Sequence, residues 1–158
     1  MAARRGITLH TVGIEANEAL ARAARSEALS TVRADARLLP FADRSIDIVM
    51  CSQVLHHFVD HDQALAMLRE MDRVARRWVI VSDLRRSWLA AAGIWLASFP
   101  LRFHPVSRHD GVVSVLRGFT RAELRDLVRA AVGCDPVVRE HRGFRTTARW
   151  TPRHRTYA

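Results

Sequence analysis

Three side chains suited to proton transfer follow two apolar segments of the chain. His56 and His57 come shortly after residues 46–50, and Asp83 directly follows residues 78–82. Histidine exchanges a proton near neutral pH, and a carboxylate beside it can orient the ring or raise its pKa. One interpretation is a general base formed by one histidine with Asp83 as its partner. The more ordinary alternative is that the histidines pack at a helix start and Asp83 is a turn acid.

The apolar segments predict the elements that position these side chains. Residues 46–50 form a nearly continuous β-branched and apolar run, which predicts a strand buried on both faces of a parallel sheet. In open α/β sheets, ligands bind beyond the carboxyl ends of such strands. His56 and His57 are expected at this end, because they come shortly after the strand. Asp60 and Gln63 then have the spacing of a capping box, which predicts a helix over 61–76.

The remaining pattern alternates strands with helices and predicts an α/β fold. Strands are expected over 9–14, 30–33 and 78–82, with a helix over 18–29, so the sheet is mostly parallel with right-handed crossovers. An apolar helix over 88–99 and an irregular connection over 100–117 follow. Thr120 and Glu123 have the spacing of another capping box, which predicts the start of a helix, and Gly133 predicts its end. Residues 136–151 predict a closing antiparallel hairpin. We expect one domain, 1–158, with residues 84–119 as an insertion.

Composition narrows the classes of function. The chain has 158 residues, 49% of them hydrophobic, and a formal net charge of +9 that comes from arginine alone. Because the arginines are spread from Arg4 to Arg155, a solvated surface is favoured over a nucleic-acid patch. Cys51 and Cys134 lack metal-ligand spacing, as do the histidines, so we expect no metal and a reducing cytoplasmic location. The longest apolar tract, 88–99, is too short to span a bilayer.

Five segments, taken in order, resemble the class I S-adenosylmethionine-dependent methyltransferases of the small-molecule type. They are VGIEAN at 12–17, ADARLLPFAD at 34–43, SIDIVMCSQVLHHF at 45–58, WVIVSD at 78–83 and GFTRAEL at 118–124. The resemblance implies a Rossmann-like sheet, S-adenosylmethionine as the cofactor and methyl transfer as the reaction. It covers most of the chain from about residue 9 onward.

The resemblance also implies roles for individual residues. Glu15, with Ala16 and Asn17 beside it, would bind the ribose hydroxyls of the cofactor, since a carboxylate can accept from both. Asp35 would accept from the adenine amino group, with the Ala36 backbone N–H at the ring. The ordinary alternatives are a turn acid before a helix for Glu15 and a loop-starting residue for Asp35.

The methionine end of the cofactor is assigned by the same resemblance to Ser52 and Gln53. One of His56 and His57 would then take a proton from the acceptor. The apolar helix with Trp88 and Trp95 would cover a hydrophobic or aromatic acceptor, methylated at oxygen or carbon. For the two tryptophans themselves, ordinary core packing is the favoured interpretation.

One part of the family pattern is missing. Relatives carry an earlier strand and a glycine-rich loop before the segment with Glu15, whereas residues 1–8 supply neither. Residues 1–6 resemble the end of the helix that would follow that loop. We therefore expect an N-terminally truncated domain whose unpaired sheet edge promotes self-association. The alternative function is an inactive methyltransferase-fold remnant that serves as a binding module.

Overall fold

The structure is a computed structural model that describes residues 8–24 and 29–152. Clustering of its contacts divides the chain into two compact units, Met1–Pro40 and Phe41–Ala158. The described elements, in chain order, are β1 (Val12–Glu15), α1 (Glu18–Ala23), β2 (Ser30–Arg33), β3 (Ile46–Ser52), a 3₁₀ turn (Leu55–His57), α2 (His61–Val74), β4 (Ala75–Leu84), α3 (Trp88–Ala97), α4 (Pro105–Leu116), α5 (Arg121–Val132), β5 (Val137–His141) and β6 (Arg145–Trp150).

The first unit contains a parallel pair of strands joined by a helix. β1 and β2 pair in register from Val12 opposite Ser30 to Glu15 opposite Arg33. Asn17 caps α1, because its Oδ1 accepts the N–H groups of the second and third helical residues. The predicted helix over 18–29 is confirmed at its start, but its predicted end is wrong, because α1 ends at Ala23 and Leu29 already forms a β-bridge. Residues 25–28 lie outside the described part of the chain. The expected helix end at residues 1–6 also lies outside it.

The second unit is built on a four-stranded sheet in the order β3-β4-β6-β5. β3 and β4 are parallel, whereas β6 runs antiparallel to both β4 and β5. This arrangement confirms the predicted α/β class and the closing hairpin, whose turn contains Gly143 at a φ of 82°. The carboxyl ends of β3 and β4 therefore meet at one edge of the sheet.

α2 and α5 cover one face of this sheet. Both helices turn an apolar stripe inward, as their 3.6-residue periodicity requires. α5 begins at the predicted capping box, in which Thr120 and Glu123 exchange both hydrogen bonds, and it ends at Gly133 with a φ of 67°. The fully buried members of this core include Leu68, Val74, Val79, Val81, Leu124, Val128 and Ala148.

α2 passes into β4 without an intervening loop residue. The helix ends at Val74 and the strand begins at Ala75, so the predicted helical end at residue 76 is wrong. Ala75 already has an extended ψ of 135° and pairs with Ile46 of β3, which ends the helix two residues early. Asp60 caps α2 through the N–H of Asp62 rather than through a reciprocal bond with Gln63.

β3 differs from its predicted burial on both faces. Ile48 is 51% exposed and Met50 66% exposed, whereas Cys51 is buried. The reason is that β3 is an edge strand of the four-stranded sheet, and α2 packs on the face that carries Cys51 rather than on the face of Ile48 and Met50. An unbroken apolar run indicates a buried strand only when both faces and both edges acquire neighbours.

α3 and α4 form a helical hairpin where the sequence predicted an irregular connection. Pro105 occupies the first turn of α4, where a missing N–H costs nothing, and His104 Nδ1 accepts the N–H of Val106 at 3.3 Å. The hairpin packs through small side chains such as Ala91, while the tryptophans expected in the core, Trp88 and Trp95, are exposed. No helix in residues 8–24 or 29–152 is long and apolar enough to span a membrane.

Candidate active site

A buried hydrogen-bonding contact joins the segment after β3 to the end of β4. His56 Nδ1 lies 2.6 Å from Oδ1 of Asp83, and both side chains are almost fully buried. Asp83 Oδ2 accepts the N–H of Leu55 at 2.8 Å, and Oδ1 also accepts the N–H of Leu84 at 2.7 Å. The carboxylate thus fixes the 3₁₀ turn at the carboxyl ends of two parallel strands.

The two adjacent histidines have different environments. His56 is 5% exposed, whereas His57 is exposed to solvent. Their ring centroids are 4.1 Å apart at an interplanar angle of 37°. His57 therefore contacts a ring that Asp83 holds in place, and of the two rings it is the one open to solvent. The predicted juxtaposition of His56, His57 and Asp83 is present, and their chemical role stays a prediction.

Two further side chains near Asp83 were not identified from the sequence. The Cys51 thiol has its pKa raised to about 12, mainly by burial and also by the negative charge of Asp83. Thr146 pairs with Asp83 across β4 and β6, and its fully buried hydroxyl has no hydrogen-bond partner among the described residues. Strand register between β4 and β6 places Thr146 there, and composition alone carries no signal for that register.

Ser52 and Gln53 complete the carboxyl end of β3. Gln53 adopts a φ of 58°, an uncommon conformation for a residue with a side chain, and its N–H donates to Ser82 O at 2.8 Å. Arg145 donates to the Ser52 Oγ at 3.4 Å. The backbone thus turns sharply where the predicted cofactor contacts begin, and the Ser52 hydroxyl and Gln53 amide remain exposed.

The first unit presents its own group of candidate residues at the ends of β1 and β2. Glu15 Oε1 accepts the N–H of Asn17 at 2.8 Å, while its second oxygen accepts no hydrogen bond from the described residues. Asn17 is committed to capping α1, and Ala16 lies in the turn between them. The Ala34 N–H donates to Glu15 O at 3.2 Å, which ties the segment after β2 to the end of β1.

Asp35 is more fully engaged than the sequence suggested. Its carboxylate accepts the backbone N–H of Arg37 at 2.8 Å and forms a bidentate contact with the Arg37 guanidinium. These hydrogen bonds lower the pKa of Asp35 to about 2. The geometry is that of the loop-starting alternative. The N–H of Ala36 makes no hydrogen bond within the described residues, so of the two predicted adenine contacts it is the one with an unused hydrogen-bonding group.

Comparison with known proteins decides the family. The sequence model of the family described as Methyltransferase domain matches residues 1–80, half of the chain. The chain belongs to this family. It is a class I S-adenosylmethionine-dependent methyltransferase by fold and family, so S-adenosylmethionine is the cofactor of its family and methyl transfer the general reaction. A search of curated protein sequences found no significant match.

Solved structures show the same fold at low identity. A possible histamine N-methyltransferase from Thermotoga maritima superposes with a TM-score of 0.65 at 20% identity, covering 96% of this chain and 76% of its own. A methyltransferase from Aquifex aeolicus superposes with a TM-score of 0.63 at 13% identity, and the match covers 89% of this chain and 68% of the Aquifex chain. The structure described as PigF with SAH superposes with a TM-score of 0.60 at 20% identity, and the match covers 93% of this chain and 49% of PigF. The chain thus spans between about half and three quarters of these proteins.

The residues present fit the family cofactor in part. A carboxylate oxygen of Glu15, the N–H of Ala36, and the exposed polar groups of Ser52 and Gln53 can each take a new hydrogen bond. The Asp35 carboxylate would have to share its acceptors with Arg37. Within the described ranges no three His, Cys, Asp or Glu side chains group as a metal site.

Proposed function

We propose that this chain binds S-adenosylmethionine and transfers its methyl group to a small hydrophobic or aromatic acceptor, at oxygen or carbon. The observation that carries the proposal is the exposed His57 ring in tilted contact with His56, which Asp83 anchors at the carboxyl ends of β3 and β4. Ligands of open α/β sheets bind at this edge. The family match over residues 1–80 includes residues of each compact unit.

Each unit supplies its own proposed cofactor contacts. Glu15 accepts from the ribose hydroxyls through its unengaged oxygen, and Asn17 holds the carboxylate in place through its N–H. Ala36 donates its N–H to the adenine ring. Ser52 and Gln53 contact the methionine end at the sharp turn that follows β3. The bound cofactor supplies a methyl group on a positively charged sulfur.

The proton chemistry is assigned to the two histidines and Asp83. For a hydroxyl or activated carbon acceptor, a base must remove one proton as the methyl group arrives. His57 is exposed and takes this role. His56 and Asp83 act as positioning residues, since Asp83 accepts from the Nδ1 side of His56 and from two backbone N–H groups. This arrangement keeps the 3₁₀ turn rigid beneath the reacting groups.

Residues 84–119 are proposed to cover the acceptor. The hairpin of α3 and α4 follows Asp83 by only a few residues and packs on Leu84 and Phe144. Its exposed side chains are mostly apolar, including Trp95 and Phe99 at a centroid distance of 5.0 Å. Such a surface suits a hydrophobic or aromatic acceptor better than a charged one.

Cofactor binding is tested by calorimetry with S-adenosylmethionine on the 158-residue chain. We expect a saturable signal that Glu15→Ala abolishes. Glu18→Ala is the matched control, because Glu18 lies three residues further along the chain and, within the described residues, forms surface ion pairs with Arg22 and Arg33. A flat titration together with a normally folded chain would contradict binding and leave the alternative of a non-catalytic binding module.

Acceptor use is tested with a radiolabelled methyl donor and a panel of acceptors. Hydroxylated aromatic compounds and quinols are expected to gain label, whereas small charged amines of similar mass are not. Transfer to the amines alone would contradict a hydrophobic acceptor without contradicting methyl transfer. Cys51 and Cys134 are both buried and are not joined by a disulfide, which fits a reducing compartment, and we retain the cytoplasm as the proposed location.

Self-association through the β3 edge is also proposed. An antiparallel pairing of two copies centred on Val49 would set Ile48 opposite Met50 and Asp47 opposite Cys51, so no like charges would meet. Light scattering of the purified chain is expected to give a dimer that Met50→Lys converts to a monomer. Val137→Lys, on the far edge strand β5, is the control that should leave the dimer intact. A wild-type chain that is monomeric at high concentration would contradict this pairing.

A further inference from the structure

α3 carries its small side chains inside and its large ones outside. Ala90 and Ala91 are buried, and Ile94 packs beside them. On the opposite side, Trp88 and Leu89 are 76% and 77% exposed. A helix of a water-surrounded domain normally shows the reverse distribution, with large apolar residues inward.

The exposed residues of α3 form one continuous surface. At about 100° per residue, the four large outward side chains lie within an arc of about 120°. These four side chains are Trp88, Leu89, Trp95 and Leu96, and each is at least half exposed. Apart from the two indole N–H groups, this surface has no hydrogen-bonding group. We refer to it as the outer α3 face.

The connection to α4 extends the apolar surface. Four further large apolar residues there are between 44% and 61% exposed, namely Phe99, Leu101, Phe103 and Val106. Basic side chains stand among them. The Arg108 guanidinium lies 4.1 Å from the centroid of the Phe99 ring, and Arg102 is exposed in a left-handed turn. Exposed apolar side chains and cations therefore occupy the same stretch of chain.

The charge balance of this region is strongly positive. Residues 84–119 contain five arginines and one exposed aspartate, Asp110, beside the buried Asp83 that precedes them. Arg85 and Arg86 are paired with Glu140 and Glu123, whereas Arg102 and Arg108 form no ion pair within the described residues. The whole chain carries a formal net charge of +9.

We propose that the outer α3 face and the adjoining connection dock in the plane of an anionic lipid bilayer surface. α3 has ten residues and is about 15 Å long, too short to cross the hydrocarbon layer. An interfacial helix needs an apolar face, indole rings at headgroup level and nearby cations, and all three are present. A protein partner would instead require directional polar contacts, which this face offers only at its indole N–H groups. The inference does not depend on methyl transfer.

The test is flotation of the 158-residue chain with vesicles of phosphatidylglycerol and phosphatidylcholine in equal amounts. We expect binding accompanied by a blue shift of tryptophan fluorescence, and much weaker binding to pure phosphatidylcholine. The double variant Leu89→Glu, Leu96→Glu should lower the partition coefficient by about ten-fold or more. Arg102→Glu with Arg108→Glu should lower it by more than about ten-fold at low salt, since each cation near the surface contributes about 1 kcal/mol.

Matched controls separate this surface from general stickiness. Leu38 is 76% exposed, nearly the same as Leu89, and Leu38→Glu should leave vesicle binding within two-fold. Arg121→Glu with Arg142→Glu reverses the same number of charges at two exposed positions outside residues 84–119 and should have a smaller effect than the Arg102 and Arg108 change. Circular dichroism verifies that each variant folds.

Three results would overturn the proposal. One is a folded wild-type chain that does not bind anionic vesicles. The second is equal loss of binding in Leu38→Glu and in the double variant of α3. The third is an oligomer, detected by light scattering without vesicle binding, that the Leu89 and Leu96 variant dissociates. The third result would assign the outer α3 face to a second copy of the chain.

Discussion

His56 and Asp83 are joined by a 2.6 Å contact between Nδ1 and Oδ1, buried at the carboxyl ends of β3 and β4. The same carboxylate accepts two backbone N–H groups, from Leu55 and Leu84. The Asp83 side chain therefore holds Leu55, which lies 28 positions earlier in the chain. The stability of the turn and the placement of His57 both depend on this contact.

Asp83→Asn is expected to lower the free energy of unfolding by about 2–3 kcal/mol, because a carboxylate that serves three donors is replaced by a group with one acceptor oxygen. Urea denaturation measures the change. Asp110→Asn, an exposed aspartate on α4, is the control and should change stability by less than about 0.5 kcal/mol. An unchanged urea midpoint for Asp83→Asn would show that this contact does not stabilise the fold.

His57→Gln is expected to reduce kcat for a hydroxyl acceptor by about 10²-fold or more without a large change in cofactor affinity, since a general base contributes on that scale. Rates with labelled methyl donor and calorimetry give the two quantities. His61→Gln is the matched control, because His61 is exposed at the first position of α2. Equal rates for His57→Gln and the wild type would rule out His57 as the base.

Thr146→Val is expected to raise the free energy of unfolding by up to about 1 kcal/mol, because the buried hydroxyl that it removes has no partner in the described structure. Thr147→Val, one residue along β6, should be destabilising, since its Oγ1 contacts His141 Nε2 at 2.8 Å. Thermal unfolding of both variants checks the contrast. Destabilisation by Thr146→Val would contradict an unsatisfied hydroxyl. A stable variant with reduced methyl transfer would place the hydroxyl in the reacting site.

Gly118→Ala is expected to destabilise the chain strongly, by more than about 2 kcal/mol. A Cβ atom there would lie 2.6 Å from Leu84 O and 3.0 Å from Arg86 N, both backbone atoms that cannot move independently. Gly93→Ala is the control, since a Cβ atom within α3 meets nothing within 4 Å. Helix propensity predicts that this second change stabilises by about 0.5–1 kcal/mol. Chemical denaturation in which the two variants behave alike would contradict the close approach.

The raised pKa of Cys51 predicts a pH dependence of stability. Burial raises the pKa of the thiol from its ordinary 9.0 to about 12, so the folded state favours the protonated form. Its contribution is fully present below pH 9 and is lost as the pH rises through 12. Between pH 8 and 10.5, the urea midpoint of the wild type should therefore fall more than that of Cys51→Ala. Equal falls in the urea midpoints of the two proteins would contradict the raised pKa of Cys51.

Alkylation of Cys51 at pH 8 should require unfolding.

Much of the fold was predictable because its signals are local. The Thr120–Glu123 capping box and the Gly133 helix end depend on residues within one turn, and both are present. The meeting of His56 with Asp83 was predictable for a topological reason. Parallel neighbouring strands end at the same edge of a sheet, so residues that follow each strand come together.

The errors concern features that depend on distant neighbours. The apolar run of β3 does not reveal that β3 lies at a sheet edge, so the exposure of Ile48 and Met50 was missed. The spacing of Trp88 and Trp95 defines one side of a helix but not whether that side faces the core. α4 was missed because Pro105 and Gly111 weaken its helical pattern, although proline is well accommodated at the first helical positions.

The direct passage from Val74 of α2 to Ala75 of β4 limits how this protein can evolve. With no linker to absorb a change in length, one inserted or deleted residue would rotate the strand register and turn Val79, Val81 and Asp83 to the opposite face of the sheet. Insertion or deletion of a single codon there would therefore turn Val79 and Val81 out of the core and move Asp83 away from His56. We expect an alignment of homologous sequences to contain no gap across this junction and to contain insertions or deletions between α3 and α4.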